Sequence, residues 1–427
     1  MNGRGPASPF PVPPSPEVIR DPLWNNIRVD AEALAVLDTP AVQRLRYVRQ
    51  LGHAFLVYPG ATHTRFEHAL GAYHLARRAL AHLEETAGRD AVDPAAARGV
   101  RLAALLHDVG HYPFSHALEE AGLPHHETLA ESHLLSGDLA QVLDRLGVRP
   151  ADLLALIRAE SGSPLAGLVS GPLDVDKLDY LSRDAMACGV PYGMIDVDRL
   201  LASLVLAPTA GGPVLALHEK GLAALESLLF AKYQMYRNVY WHHAVRSATA
   251  MFKRLVRRAL AARLVTAGEI ARATDDGLLH DLMQRDTTGL AQALRQRRLA
   301  KRALDLPVSD LPATPADWPT ADPHLLERVE DRLAREAGLE PNELFLDFPA
   351  KREGLELEVP VMRRDGRLAE GPVLPPVAGD LLRAARRIRV FVMRPAEIPA
   401  RRVLELVTLP SSEVIARLEG ETALLGD

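Results

Sequence analysis

Ten of the 16 histidines lie between His63 and His133, many of them close to carboxylates. Histidine is the commonest ligand of transition metals and also the side chain that titrates nearest neutral pH. Packing alone does not predict such a density of imidazoles. The cluster therefore indicates a metal site with acid and base groups beside it.

The sharpest signal is the dipeptide His107-Asp108, which ends an apolar helical stretch and precedes a glycine. Adjacent side chains on a helix diverge by about 100 degrees, so both reach one ion only at the edge of the helix. Other helices must complete the site, and His68 and Asp176 are the candidates. Two imidazoles and two carboxylates suit manganese, iron, zinc or magnesium, with positions left for water and phosphate oxygens.

Each of these four residues has a structural interpretation when it is taken alone. A single His-Asp pair is usually structural, His68 could be a core histidine bonded to a carbonyl, and Asp176 could cap the helix that follows it. The prediction of a metal site comes from their combination, because each lies on an apolar-patterned segment.

Cationic and aromatic residues flank the predicted ligands. Arg65 lies one turn before His68, and Lys177 and Tyr180 flank Asp176, so these side chains could reach phosphates at the metal.

A further stripe follows at helical spacing, formed by Lys232, Tyr236 and Tyr240. Its structural interpretation is a packed aromatic face with a lysine whose stem is buried. Its functional interpretation is a phosphate contact followed by a surface for a sugar or base.

Four residues are candidates for proton transfer, because a phosphate-ester hydrolase must orient water and protonate a leaving oxygen. They are His111, His116, Glu119 and His126. His125 and His133 are expected to be structural.

The element pattern predicts a mainly α protein, a helical bundle with a smaller C-terminal α+β subdomain. Strands are expected at 214–217, 355–361 and 388–392, and helices at 323–337 and 411–419. Prolines mark a disordered tail and a linker. The predicted divisions are a tail at 1–16, a catalytic core at 17–305, a linker at 306–323 and the subdomain at 324–427.

Composition restricts the class of protein. The chain of 427 residues has a net charge of -5, which favours small anionic ligands over nucleic acid. Its single cysteine, Cys188, cannot form an internal disulfide and fits a reducing compartment. With neither a membrane-spanning run nor a signal peptide in the pattern, we expect a cytoplasmic protein without membrane contact.

Four stretches, 37–52, 58–71, 107–116 and 174–184, resemble the HD-domain deoxynucleoside triphosphate triphosphohydrolases, and the likeness extends over residues 17–260. The resemblance implies metal ligands at His68, His107, Asp108 and Asp176. It implies phosphate contacts at Arg65, Lys177, Tyr180 and Lys232, and acid and water-orienting groups at His111, His116, Glu119 and His126. It implies deoxyribose contacts at Gln50, Leu51, Asp184 and Tyr240, with Tyr236 in the substrate pocket where the family often has histidine.

The reaction implied by this resemblance is attack of water on the α-phosphorus of a deoxynucleoside triphosphate, releasing deoxynucleoside and inorganic triphosphate. His116 would protonate the leaving 5'-oxygen, and Leu51 and Tyr240 would crowd a ribose 2'-hydroxyl. The resemblance also implies a homo-oligomer.

A nucleotide activator is a further implication, because Asp38, Gln43 and Arg46 match part of a regulatory site in the family, although residues 20–26 depart from it. Two alternatives stay open. One is another HD phosphohydrolase, acting on 5'-monophosphates, cyclic nucleotides or alarmones, since the superfamily shares the metal site. The other is a nucleotide sensor without catalytic activity.

Overall fold

A computed structural model of the protein describes residues 16–311, 315–348, 359–370, 385–420 and 423–424. Residues 1–15 of the tail predicted at 1–16, and residues 355–358 of the strand predicted at 355–361, lie outside the described residues. Within them, the fold is mainly α, with three small sheets. The predicted fold class is confirmed.

The N-terminal part begins with an antiparallel hairpin, β1 (Glu17–Asp21) and β2 (Asn25–Val29). It continues into helices α1 (Ala31–Leu37), α2 (Pro40–Gln43), α3 (Arg65–Ala87), α4 (Pro94–Leu106), α5 (His126–Leu135), α6 (Gly137–Arg145), α7 (Pro150–Ile157), α8 (Gly167–Ser170), α9 (Val175–Cys188) and α10 (Val197–Leu201).

Local capping fixes the starts of the two helices that matter most for the site. At α3, the Glu67 carboxylate accepts from the Thr64 backbone N–H at 2.6 Å. At α9, Asp174 accepts from the Lys177 backbone N–H at 2.9 Å. These bonds satisfy amides that a helix start leaves without partners, so the first turns of α3 and α9 are held rigidly.

The middle of the chain starts with strands β3 (Leu204–Ala207) and β4 (Val214–His218), as predicted for 214–217. Next come α11 (Leu222–Met235), a π-helical turn (Tyr236–Tyr240), α12 (His243–Ala261), α13 (Ala267–Arg272), α14 (Asp275–Arg285) and α15 (Leu290–Arg295). The π turn follows α11 directly and keeps its tyrosines adjacent, with ring centroids of Tyr236 and Tyr240 5.1 Å apart.

The C-terminal part contains β5 (Lys301–Pro307), α16 (Trp318–Ala321), α17 (Pro323–Glu336), β6 (Leu344–Asp347), β7 (Val361–Met362), β8 (Arg387–Val392), α18 (Ala400–Leu406) and α19 (Ser411–Glu419). Strand β8 lies between β5 and β6 in an antiparallel sheet, and β7 pairs in parallel with β4. The helices predicted at 323–337 and 411–419 and the strand predicted at 388–392 are confirmed.

The stretch predicted as a linker contains short elements of its own. It includes the end of β5, where Pro307 closes an edge strand and therefore removes no sheet hydrogen bond. It also includes α16, whose Trp318 is buried and donates from Nε1 to the Leu409 carbonyl at 3.1 Å. The boundaries of the domains stay predictions.

The apolar core has three main parts. The first surrounds α3, α4 and α9 and runs from Ile27 to Val239. The second is built by α12 to α15 and also takes in Tyr112 and Phe114 from the loop after α4. The third joins the β5-β8-β6 sheet to α17, α18 and α19. Among the described residues, no helix has the length and apolar character needed to cross a bilayer.

Candidate active site

The four predicted metal ligands come together between three elements. His68 lies in the first turn of α3, His107 and Asp108 end α4, and Asp176 lies in the first turn of α9. Nε2 of His68 is 3.1 Å from Nε2 of His107 and 3.0 Å from an Asp176 oxygen. Asp108 oxygens lie 3.5 Å from His107 Nε2 and 3.8 Å from His68 Nε2.

The hydrogen bonds on the far side of the two rings show that this donor set fits a cation. Nδ1 of His68 bonds Asp179 at 2.7 Å, and Nδ1 of His107 bonds the Ala104 carbonyl at 2.9 Å. Both Nδ1 atoms therefore donate, which turns two Nε2 lone pairs toward each other and toward Asp176. A divalent cation satisfies such a convergence of lone pairs and negative charge.

The charge around His68 supports the same conclusion. Burial lowers the pKa of His68, but Asp176 and Asp179 outweigh that effect and raise it to about 10. The negative field that favours a proton on this imidazole also favours a metal ion in its place.

Asp179 supports His68, and the sequence interpretation did not identify this residue. It is fully buried and holds His68 from behind, and it is itself held by Arg183, whose Nε lies 2.9 Å from Asp179 Oδ2. The β1-β2 hairpin adds Trp24, whose indole donates to Asp179 at 2.5 Å, and Asp21, which accepts from Arg183 at 2.9 Å. Spacing could have found it, because Asp179 lies one turn after Asp176 on the same face of α9.

Arg65 contacts one of the predicted metal ligands, which the sequence did not predict. Its guanidinium is buried and donates to Asp108 at 2.5 Å and to the Ser115 hydroxyl. Burial by itself would raise the pKa of Asp108, but the Arg65 charge and the neighbouring imidazoles of His107 and His111 hold it well below its usual value. Arg65 therefore keeps Asp108 anionic, and its contact with a phosphate stays a prediction.

The four predicted proton-transfer groups form a second cluster, which extends along residues 109–119, here named the histidine loop, and onto the start of α5. Glu119 joins His116 and His126, accepting from their Nδ1 atoms at 3.1 and 2.6 Å. The ring of His126 stacks on His111 with centroids 3.8 Å apart. Since His111 Nε2 also lies 3.1 Å from Asp108, this cluster adjoins the predicted metal ligands.

Protonation differs within the second cluster. Burial, with the Arg65 charge, lowers the pKa of His111 well below its ordinary value, so this ring is neutral at pH 7. Hydrogen bonds from His116 and His126 lower the pKa of Glu119 even though its burial would raise it. Glu119 is therefore anionic and accepts a hydrogen bond from each of the two histidines.

The predicted sugar contacts gather beside α9. Asp184 is buried, accepts from the Tyr240 hydroxyl at 2.7 Å, and lies 2.8 Å from His63 Nε2. His63 was not singled out by the sequence. Gln50 is buried, and within the described chain its Oε1 has no hydrogen-bond partner. Leu51 packs beside it against the first core.

The remaining predicted phosphate and pocket residues lie on α9, on α11 and in the π turn that follows α11. Lys177 binds Asp174 at 2.5 Å and the Gly171 carbonyl at 3.1 Å, and Lys232 is buried with its Nζ 6.0 Å from the Tyr236 ring centre. The Tyr180 ring lies edge-on to Tyr240.

The predicted regulatory residues lie at the end of α1, at the end of α2 and in the turn that follows α2. Gln43 donates to the Leu37 carbonyl at 2.8 Å and accepts from Arg46 at 2.7 Å, and Arg46 stacks over Phe66. Asp38 caps α1 and is exposed. Nucleotide binding there stays a prediction. His125 caps α5, which agrees with its expected structural role.

A helical bundle with this histidine and aspartate arrangement defines the HD-domain phosphohydrolase fold. The HD domain model matches residues 65–184, and the model of the HD associated region matches residues 195–378. An uncharacterized protein of Methanocaldococcus jannaschii is 32% identical over 78% of this chain and 69% of its own length. The chain therefore belongs to the HD-domain family that is similar to deoxynucleoside triphosphate triphosphohydrolases.

Other relatives match over a smaller share of their length. An uncharacterized protein of Bacillus subtilis is 35% identical over 57% of this chain and 56% of its own length. The deoxynucleoside triphosphate triphosphohydrolase SAMHD1 of Homo sapiens is 28% identical over 53% of this chain and 42% of its own length. The chain thus spans about half the length of these two proteins.

Solved structures share the fold. A phosphohydrolase from Bacteroides thetaiotaomicron superposes with a TM-score of 0.70 at 22% identity, covering 89% of this chain and 100% of that chain. A hypothetical protein from Aquifex aeolicus superposes with a TM-score of 0.68 at 27% identity, covering 94% of this chain and 100% of that chain.

Proposed function

We propose that this protein hydrolyses deoxynucleoside triphosphates to deoxynucleoside and inorganic triphosphate. The observation that carries the proposal is the contact of His111 Nε2 with Asp108 at 3.1 Å, which joins a metal-ligand set to a proton-transfer set in one site. The similarity to SAMHD1 supports the choice of substrate.

His68, His107, Asp108 and Asp176 would hold a divalent cation, for which manganese is our first choice. When bound, such a cation polarises phosphate oxygens and makes water more acidic. Positive side chains then hold the charge of the triphosphate. Lys177 and Lys232 supply two ammonium groups, and among the described residues the buried Nε of Arg65 has no hydrogen-bond partner, which supports a role on the phosphate side.

His116 would donate a proton to the 5'-oxygen of the leaving deoxynucleoside. Glu119 accepts from its Nδ1 and stabilises the protonated ring, so Nε2 is the nitrogen that would give up its proton. His116 is the most exposed of the four proton-transfer groups, with 39% of its side chain accessible to solvent. This exposure leaves room for a substrate beside it.

The sugar would lie beside Gln50, Asp184 and Tyr240. A 3'-hydroxyl could donate to the buried Gln50 Oε1, and the Tyr240 ring, held by its bond to Asp184, would crowd a 2'-hydroxyl. A buried acceptor without a partner costs stability until a ligand satisfies it. Both sugars carry the 3'-hydroxyl, so the preference for deoxyribose would come from Tyr240, which crowds the 2'-hydroxyl that only ribose carries.

Product identification tests the proposal. Purified protein with Mn²⁺ would be incubated with each dNTP, the four rNTPs, a dNMP, a cyclic nucleotide and an alarmone. Deoxynucleoside and inorganic triphosphate in equal amounts from a dNTP support the proposal. Pyrophosphate with monophosphate, or turnover confined to the other substrates, rejects it. The Asp176→Ala variant serves as the inactive control.

A further inference from the structure

The histidine loop contains two consecutive residues in a costly backbone conformation. Phe114 and Ser115 have φ angles of 59° and 62°, in the left-handed region, although neither is glycine. Such conformations persist only where surrounding contacts impose them, and they are frequent at functional sites. The turn therefore needs support from outside the loop.

Asp275, the first residue of α14, supplies that support. Its side chain is buried, and its Oδ1 accepts from the Phe114 backbone N–H at 2.9 Å. Its Oδ2 accepts from the Arg49 backbone N–H at 3.0 Å, next to Gln50. One carboxylate thus ties the left-handed turn to the chain segment that carries a predicted sugar contact.

Apolar side chains of the histidine loop also pack against the region that contains Asp275. Tyr112, Phe114, Ala117 and Leu118 belong to the core built by α12 to α15 and not to the core around α3, α4 and α9. Arg44 adds a polar tie, donating to the His111 carbonyl at 2.6 Å and to the Ala273 carbonyl at 2.9 Å. The loop is therefore shaped by the region around α14.

From the turn, a short chain of contacts leads to the metal ligands. The Ser115 hydroxyl accepts from Arg65 and donates to the Gln50 carbonyl at 3.1 Å. Arg65 in turn binds Asp108. His116 follows Ser115 directly, so a shift of the turn would move the candidate proton donor and the Arg65 contact together.

We propose that Asp275 is a positioning residue, whose carboxylate holds the Phe114–Ser115 turn and thereby aligns His116 and Ser115 for hydrolysis. Asp275 lies outside the segment matched by the HD domain model, 65–184, and inside the HD associated region, 195–378. The associated region thus completes the active site by shaping its loop. The effect on rate rests on the proposed function, whereas the effect on the turn does not.

The chain offers a matched control for the test. Asp275→Asn keeps the shape of the side chain but leaves only one acceptor oxygen for two backbone N–H donors. Asp276→Asn makes the same chemical change one residue later, where the side chain is 69% exposed and pairs with Arg49 Nη2 at 3.3 Å. Circular dichroism would establish that each variant is folded.

Hydrogen exchange of a peptide covering residues 112–118 is the readout independent of activity. We expect exchange to be about 10-fold faster or more in Asp275→Asn and unchanged in Asp276→Asn, because the Phe114 and Arg49 amides must then share the one acceptor oxygen that asparagine keeps. Equal exchange in the two variants would overturn the proposal. If Asp275→Asn does not fold, Asp275→Glu replaces it, with a smaller effect in the same direction expected.

Kinetics with Mn²⁺ and a dNTP test the catalytic consequence. For Asp275→Asn we expect kcat to fall roughly 10- to 100-fold, with KM and the Mn²⁺ dissociation constant within about 3-fold of the wild type. A loss no larger than that of Asp276→Asn would contradict a positioning role. If the wild type hydrolyses no dNTP, the proposed function fails, and hydrogen exchange still decides whether Asp275 holds the turn.

Discussion

His68 Nδ1 lies 2.7 Å from Asp179 Oδ2, behind the face that the imidazole presents to the other metal ligands. Both side chains are fully buried. A carboxylate in this position fixes the tautomer of a ligating histidine and raises its basicity. The predicted metal site therefore depends on a residue that would not touch the metal.

Replacing Asp179 with asparagine should weaken metal binding without removing a ligand. We expect the Mn²⁺ dissociation constant to rise about 10- to 100-fold, because His68 loses the negative partner of its Nδ1 proton. Titration calorimetry on the metal-free protein measures this. Asp198→Asn, at an exposed aspartate that pairs with Arg78, is the control. An unchanged Mn²⁺ dissociation constant in Asp179→Asn would contradict a role for Asp179 in metal binding.

Gly71 offers a second way to disturb the same carboxylate. A Cβ atom at this position on α3 would collide with the Asp179 carboxylate and approach Arg183. Gly71→Ala should therefore displace Asp179 and lower the Mn²⁺ affinity along with the melting temperature. Gly268→Ala on α13, where the nearest atom to an added Cβ is 3.6 Å away, should change neither. Full Mn²⁺ affinity in Gly71→Ala would contradict this account.

Removing the Tyr240 hydroxyl should affect sugar binding more than metal binding. Tyr240→Phe deletes the 2.7 Å hydrogen bond to Asp184, a bond of the charged type that contributes about 1.5 to 3 kcal/mol. We expect kcat/KM for a dNTP to fall about 10-fold or more while the Mn²⁺ dissociation constant stays the same. Steady-state kinetics and calorimetry on one preparation separate the two effects. A parallel loss of metal affinity would argue against a sugar contact.

Chelation provides a test that needs no substitution. Removal of divalent ions should abolish dNTP hydrolysis and lower the melting temperature, because a ligand that binds only the folded state stabilises it. Added Mn²⁺ should restore both in the wild type and neither in Asp176→Ala. A melting temperature that does not respond to Mn²⁺ in the wild type would contradict a metal site at His68, His107, Asp108 and Asp176.

The stability of the protein should depend on pH through the titration of Asp275. Burial raises the pKa of Asp275 from 3.8 to about 6, outweighing the two backbone N–H donors that lower it. The folded state then binds this proton more tightly than the unfolded state does. The resulting stabilisation is complete below about pH 4 and is lost as the pH rises through about 6.

Denaturant unfolding of the wild type and Asp275→Asn between pH 4 and pH 7 measures this contribution. The unfolding free energy of the wild type, measured relative to that of Asp275→Asn, should fall by up to about 3 kcal/mol as the pH rises. Asp276→Asn, compared in the same way, should show a flat difference. A flat difference for Asp275→Asn would mean that Asp275 keeps an ordinary pKa.

Sequence patterns were enough to predict the helical class and to select His68, His107, Asp108 and Asp176 as metal ligands. Apolar periodicity identifies helices, and a histidine-aspartate pair at the end of an apolar helix is a local signal. His68 and Asp176 lie in the first turns of α3 and α9, where they can converge on that pair. The cluster of His111, His116, Glu119 and His126 is also compact in sequence.

The groups that support these residues could not be read from local patterns, because they come from distant parts of the chain. The contact of the buried Arg65 guanidinium with Asp108 is one such case, because the two side chains belong to separate elements, α3 and the loop after α4. Asp275 and Phe114 are 161 positions apart, and their hydrogen bond exists because α12 to α15 pack against the histidine loop. Local patterns specify helices and caps, whereas contacts across such distances depend on how the helices pack.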